Sequence, residues 1–213
     1  AVGDSAGEAL TTGSNNVFVG GLSGDQLTTG IDNVAVGYSA LSSANAGNRS
    51  VAIGRQALEA QNAGSAGQNM YNVAVGYQAG VDVTTGSSNT LAGPFAGTNL
   101  TTGASNLALG QNALGTEDTG SRTTAVGFEA LKVQNTTLAS NKPYNVALGY
   151  QAGLAVTTGG FNTLLGARSG DAITTGNNNT SVGYQALSTN VDGDSNIAIG
   201  NYALQDFEAD TTG

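Results

Sequence analysis

Side-chain catalysis needs groups that move protons or attack electrophiles, and this chain offers few. It has no His and no Cys. Thiol nucleophiles, disulfides and imidazole or thiolate metal sites are excluded with them. Carboxylates, Lys, Ser and Thr remain. The six basic residues, Arg49, Arg55, Arg122, Lys132, Lys142 and Arg168, are scattered, and none sits in a recognisable catalytic spacing. The expectation is a protein without catalysis or cofactor. A calcium-binding β-roll would repeat GGxGxDxUx, and that pattern does not occur. Asp192-Gly193-Asp194 stands alone and reads as a solvated turn, so no metal site is expected.

Hydroxyls and aromatic rings are the remaining candidates. Thr pairs occur at Thr11-Thr12, Thr28-Thr29, Thr84-Thr85, Thr101-Thr102, Thr157-Thr158 and Thr174-Thr175. Stacked hydroxyls could order water against ice, or could close turns by bonding backbone groups. Exposed Tyr38, Tyr77, Phe128, Tyr150 and Tyr184 could stack on sugars, cover turn backbone or pack between chains. Tyr71 and Tyr144 end longer segments and are the candidates for receptor contact. The sequons at Asn48, Asn99, Asn135, Asn178 and Asn179 are expected by chance in a chain this rich in Asn and Thr.

The 213 residues carry a net charge of −9, which disfavours a nucleic-acid partner. No apolar run approaches the roughly 20 residues of a spanning helix, so this segment is not expected to insert in a membrane. The dominant feature is repetition. NVAVGYQAG at 72–80 returns as NVALGYQAG at 145–153, 73 residues later. The motif apolar–small–apolar–Gly places Gly3, Gly20, Gly37, Gly54, Gly76, Gly93, Gly110, Gly127, Gly149, Gly166, Gly183 and Gly200 in register. Spacings of 17, 17, 17 and 22 residues recur and sum to 73.

Around each Gly, the residue before is apolar, the residue three before is Val, Leu, Ile or Thr, and the residue two before is mostly Ala. Asn stands four before in nine of eleven units. This alternation predicts a short strand per unit. Seventeen residues suit one coil of a β-solenoid. The predicted fold is all-β: a parallel β-solenoid, or β-roll, of twelve roughly 17-residue coils in three superunits (1–73, 74–146 and 147–213) forming one repeat domain. Coils about 4.8 Å apart would make a rod on the order of 55 Å long. The Val, Leu and Ile columns are expected to face inward. The Gly column is read as a sharp turn where a Cβ would clash. The Asn column is read as a ladder between coils. Four residues after the Gly, coils carry either Gly with an apolar residue three later, or Leu, as if one core slot were filled from two backbone positions. Segments 59–71 and 132–144 hold the five extra residues and should protrude.

These columns resemble the head repeats of trimeric autotransporter adhesins, with their Asn-Ser-Val-Ala-Ile-Gly motif. They also resemble repeats of phage and bacterial tail fibres, in stretches such as NTSVGYQAL at 179–187 and TTGSNNVFVG at 11–20. Asn lies four before the Gly here and five before it in the adhesin motif; only Asn15 and Asn178 match that spacing. The resemblance implies a parallel β-roll, a homotrimer, and an extracellular position on a cell surface or virion. Chain ends inside the repeat suggest a piece of something longer. Phe18, Leu91 and Leu164 interrupt the Ala column once per superunit, and are expected to point outward as packing knobs at a chain–chain contact. The expected function is a structural or adhesive fibre segment, with self as partner and a cell-surface glycan or protein as possible receptor. A self-assembling surface filament is the second reading and an ice-binding solenoid the third.

Overall fold

The computed structural model describes residues 1–136 and 143–206. It is a parallel β-solenoid. Eleven three-residue strands form one sheet in chain order, each bonded to the next. They are β1 (Val17–Val19), β2 (Val34–Val36), β3 (Val51–Ile53), β4 (Val73–Val75), β5 (Thr90–Ala92), β6 (Leu107–Leu109), β7 (Thr124–Val126), β8 (Val146–Leu148), β9 (Thr163–Leu165), β10 (Thr180–Val182) and β11 (Ile197–Ile199). An isolated parallel bridge from Val2 to Val19 adds a level below β1. The register is one coil per step: Val17 faces Val34 and Phe18 faces Ala35. The longer spacing does not disturb it, since Val51 faces Val73 across 22 positions. Gly64 to Gln68 is exposed and takes up the extra length of the first long segment. In the second long segment, 137–142 lies outside the described residues.

Two columns fix the coil spacing. The glycines of the repeat motif have φ between +119° and +143°, a conformation that L side chains rarely adopt. A Cβ on Gly110 would stand 2.4 Å from the carbonyl oxygen of Gly127, so the expected clash is present. The Asn column forms the expected ladder, and it is buried. Asn89 Oδ1 accepts the Asn106 backbone N–H at 2.9 Å, while Asn89 Nδ2 donates to Gly103 O at 2.9 Å. Gly103 belongs to a second glycine column, ten residues after the first. There too a Cβ would meet the next coil, 2.2 Å from Gly120 O.

The expected orientation of the strands is reversed. The middle residue of every strand is buried, and the flanking Val, Leu, Ile and Thr are exposed or half-buried. Ala35, Ala52, Ala74, Ala108, Ala125 and Ala147 therefore line the interior. The buried Asn, four before the Gly, shares their parity, and a strand puts residues of like parity on one face. The interior is narrow enough that Ala suffices at most levels.

Phe18, Leu91 and Leu164 are corrected with it. Phe18 is 3% exposed and the two Leu are fully buried, so they are core residues and not outward knobs. Each fills space left by two glycines in the opposite wall. A Cβ on Gly80 or Gly97 would come 2.6 or 2.8 Å from Leu91. Gly153 and Gly170 stand in the same relation to Leu164, and Gly7 and Gly24 to the ring of Phe18. In the other coils, Leu41, Leu58, Leu114, Leu131 and Leu187 at that wall position are fully buried over an Ala or Ser partner. The exchange of one core slot between backbone positions thus involves three positions.

Two measurements test this packing. Asn89→Ala orphans the Asn106 N–H and the Gly103 carbonyl, and should cost about 2–6 kcal/mol at about 1–3 for each buried unsatisfied group. Denaturant unfolding reads the loss, and faster amide exchange at Asn106 locates it. Leu91→Ala should cost about 2–5 kcal/mol through the cavity it leaves. A Leu91→Ala chain of unaltered stability would contradict the buried placement.

Candidate functional site

No cleft or cavity is found among the described residues. They contain no group of three or more Asp or Glu that could hold a metal ion. Among the described residues no helix is long and apolar enough to cross a membrane. The features that can meet a partner are on the surface, and the largest is the outer face of the sheet.

That face carries two columns of side chains, three and one before each Gly. Val17, Val19, Ile53, Val75, Val146 and Leu148 are all exposed, Val75 by 40% and Leu148 by 53%. Thr90, Thr124, Thr163 and Thr180 place hydroxyls among them. No residue in either column is charged, although the chain as a whole carries −9. Eleven strands at about 4.8 Å per level make a strip about 48 Å long. A continuous apolar strip of that length is larger than the scattered apolar residues of an ordinary surface. The larger side chains of the alternation predict this face inside, and the structure turns it outward. The parity of the buried Asn column was the signal that could have placed it outside.

Aromatic and cationic side chains line the coil corners. Arg49 lies 5.9 Å from the Tyr71 ring centroid, and its Nη1 donates to Tyr71 Oη at 3.1 Å. Asp32 adds an ion pair at 3.6 Å. The hydrogen bond to Tyr71 raises the Arg49 pKa first, with Asp32 adding to it. One superunit later Arg122 stands over Tyr144 at 5.7 Å and donates to its Oη at 2.7 Å. Tyr144 also stacks on Phe161 at 5.3 Å. The ring of Tyr144 is therefore engaged by Arg122 and by Phe161, and its hydroxyl is bonded. Tyr71 and Tyr144, the receptor-contact candidates, are exposed yet tied into ladders that join successive coils.

The residues just after the motif glycines behave alike. Arg55 lies between Tyr38 and Tyr77, 5.7 and 6.0 Å from their ring centroids. Phe128 stacks on Tyr150 at 5.5 Å, and Tyr184 meets Tyr202 edge-on. On the Thr pairs, the first hydroxyl bonds to the next coil: Thr28 Oγ1 donates to Asn45 O at 2.6 Å, and Thr84 Oγ1 to Thr101 O at 3.1 Å. These hydroxyls satisfy backbone groups, as the turn reading expects, but they join successive coils rather than close one turn. Asp171 is half-buried, and burial raises its pKa, an effect that Arg168 partly offsets.

Polar groups inside the roll were not legible beforehand. Where Ser50 and Thr123 break the Asn column, Gln61 and Gln134 enter it. Gln61 Oε1 accepts from Ser50 Oγ at 3.1 Å and Asn72 Nδ2 at 2.8 Å. Gln134 Oε1 accepts from Asn145 Nδ2 at 2.7 Å. The pairing was present in the sequence as Gln eleven residues after each break.

Comparison with family models, with curated proteins and with solved structures finds no match. The corner ladders carry a prediction of their own. An exposed cation–π pair contributes about 0.5–1 kcal/mol, so Arg122→Ala should lower stability by no more than that. Thermal unfolding reads the change; a loss several times larger would mean that Arg122 organises the corner rather than covering it.

Proposed function

We propose that this chain is a rigid, non-catalytic segment of an extracellular fibre, built by side-by-side association of identical chains through the outer face of the sheet. The observation that carries this reading is the uncharged apolar strip along the length of the solenoid. Its occupant is a second and third copy of the chain. A strip that repeats every coil is matched best by another with the same repeat. A chain of net charge −9 can approach itself there without like charges meeting. Val75 and Leu148 keep 40% and 53% of their surface open, so covering them contributes about half of the roughly 1.5–3 kcal/mol of a full burial for each. The resemblance to adhesin heads and tail-fibre repeats supports a homotrimer and a place on a cell surface or virion. A glycan or protein receptor would then contact the protruding segments or the corner ladders.

The filament is the second reading, in which near-identical 73-residue superunits join end to end. An open strand edge is a template for another chain. The ice-binding reading has less to stand on, because the leading Thr hydroxyls are spent on backbone carbonyls.

Absolute mass in solution, by light scattering across a concentration range, separates these. The fibre reading expects a constant mass near three times the 21.0 kDa chain. Val75→Asp should return it to the mass of one chain, with the circular dichroism of the fold retained. Mass that grows with concentration would favour the filament. A monomeric unsubstituted chain would overturn the self-association reading.

A further inference from the structure

The interior of the solenoid holds one carboxylate among the described residues. Glu117 is fully buried, seven residues after Gly110, in a slot that other coils fill with Leu27, Val83, Leu100, Val156 or Ile173. No described Lys or Arg forms an ion pair with it. Its two oxygens accept four hydrogen bonds. Oε1 takes the backbone N–H of Gly120 at 2.7 Å and of Thr136 at 3.1 Å, and the Thr136 hydroxyl at 2.8 Å. Oε2 takes the Gln134 side-chain amide at 2.7 Å. A carboxylate sequestered from water, with a hydroxyl on one oxygen and an amide nitrogen on the other, is the arrangement of a general acid–base between a nucleophile and its leaving group.

We propose that Thr136 and Gln134 are joined by an ester which the folded chain forms by itself, with Glu117 moving the proton. Glu117 Oε1 takes the Thr136 hydroxyl proton as Oγ1 attacks the Gln134 side-chain carbonyl carbon. The oxyanion on Gln134 Oε1 is held by Asn145 Nδ2, which already donates to that oxygen at 2.7 Å. The carbon–nitrogen bond then breaks, and Glu117 returns the proton to the leaving nitrogen, which departs as ammonia. One carbon–oxygen bond replaces one carbon–nitrogen bond, with no oxidant and no net change of charge. Gln134 and Thr136 are both buried, so water competes poorly for the amide. Thr123 Oγ1 is also near, 3.2 Å from Gln134 Nε2, but it accepts that bond and donates none to Glu117.

The first superunit is an internal control. Gln61 stands where Gln134 does, and Asn72 donates to its carbonyl in the same way. The positions 73 residues before Glu117 and Thr136 are Ala44 and Ala63, so base and nucleophile are missing together. Gln61 should remain a free amide. The ester would close a covalent ring where Thr123 interrupts the Asn ladder.

Intact mass of the folded, full chain decides. The expected result is a chain lighter by one ammonia, about 17 Da, with fragmentation suppressed between Gln134 and Thr136 and normal around Gln61. Hydroxylamine should open the ring. Glu117→Gln and Thr136→Val should each restore the full mass. An unmodified mass for the unsubstituted chain would overturn the proposal and leave Glu117 a hydrogen-bonding strut, and that measurement does not depend on any variant folding. A loss of ammonia that maps elsewhere, or that persists in folded Glu117→Gln, would overturn it equally. So would a gain of about 1 Da at Gln134, which marks attack by water instead.

Discussion

Everything in this molecule depends on how closely one coil can sit on the next. Two glycine columns set that distance, because a Cβ at Gly110 or Gly103 would lie 2.4 or 2.2 Å from the carbonyl oxygen one coil on. The Asn column then bonds the levels together. Each amide satisfies a backbone N–H on the next coil and a glycine carbonyl within reach, as Asn33 does for Ser50 and Gly47. Polar groups that would be costly if orphaned inside a protein become the connection between its levels. Where the column fails, at Ser50 and Thr123, a Gln from the opposite wall keeps it continuous.

That stacking overrides local preference. Among the described residues, twenty-nine that are not glycine have positive φ, Leu114, Arg122 and Phe161 included. Each is disfavoured by about 1–2 kcal/mol relative to ordinary backbone. They recur at fixed corners, and there their N–H groups bond to a neighbouring coil. Leu114 donates to Ala130 O at 3.0 Å and Arg122 to Ala104 O at 3.1 Å. A corner that is strained alone is over-determined by the levels above and below it.

A thin interior has a consequence for the exterior. With Ala inside at most levels, the larger Val, Leu and Ile of each strand stand on the outside. The large residues that the strands themselves turn inward, Phe18, Leu91 and Leu164, are accommodated because glycines lie opposite them. The apolar surface is therefore built into the repeat itself rather than added at one place, which is why self-association is the reading the surface supports. The same economy of space makes Glu117 conspicuous: a slot shaped for Leu or Val holds a carboxylate whose partners are a hydroxyl and three amide N–H groups.

The sequence by itself determined the period, the superunit, the parallel solenoid, the need for glycine at one corner and the ladder of Asn. These follow from strict spacing, since residues that recur at one interval must stack if the coils do. It also left chemistry without His or Cys to draw on. Only the tertiary structure decided which face of each strand is inside. Alternation says that two sets of side chains point oppositely and is silent on which set is buried. The separation of the two walls settles it, and that separation is a property of both walls together. Phe18, Leu91 and Leu164 moved from surface to core for this reason. Tyr144 moved from a free ring to one held between Arg122 and Phe161 because contacts between coils join residues 17 to 22 positions apart. Glu117, Gln134 and Thr136 met for the same cause: nineteen positions separate the first from the last, and one step of the stack brings them together.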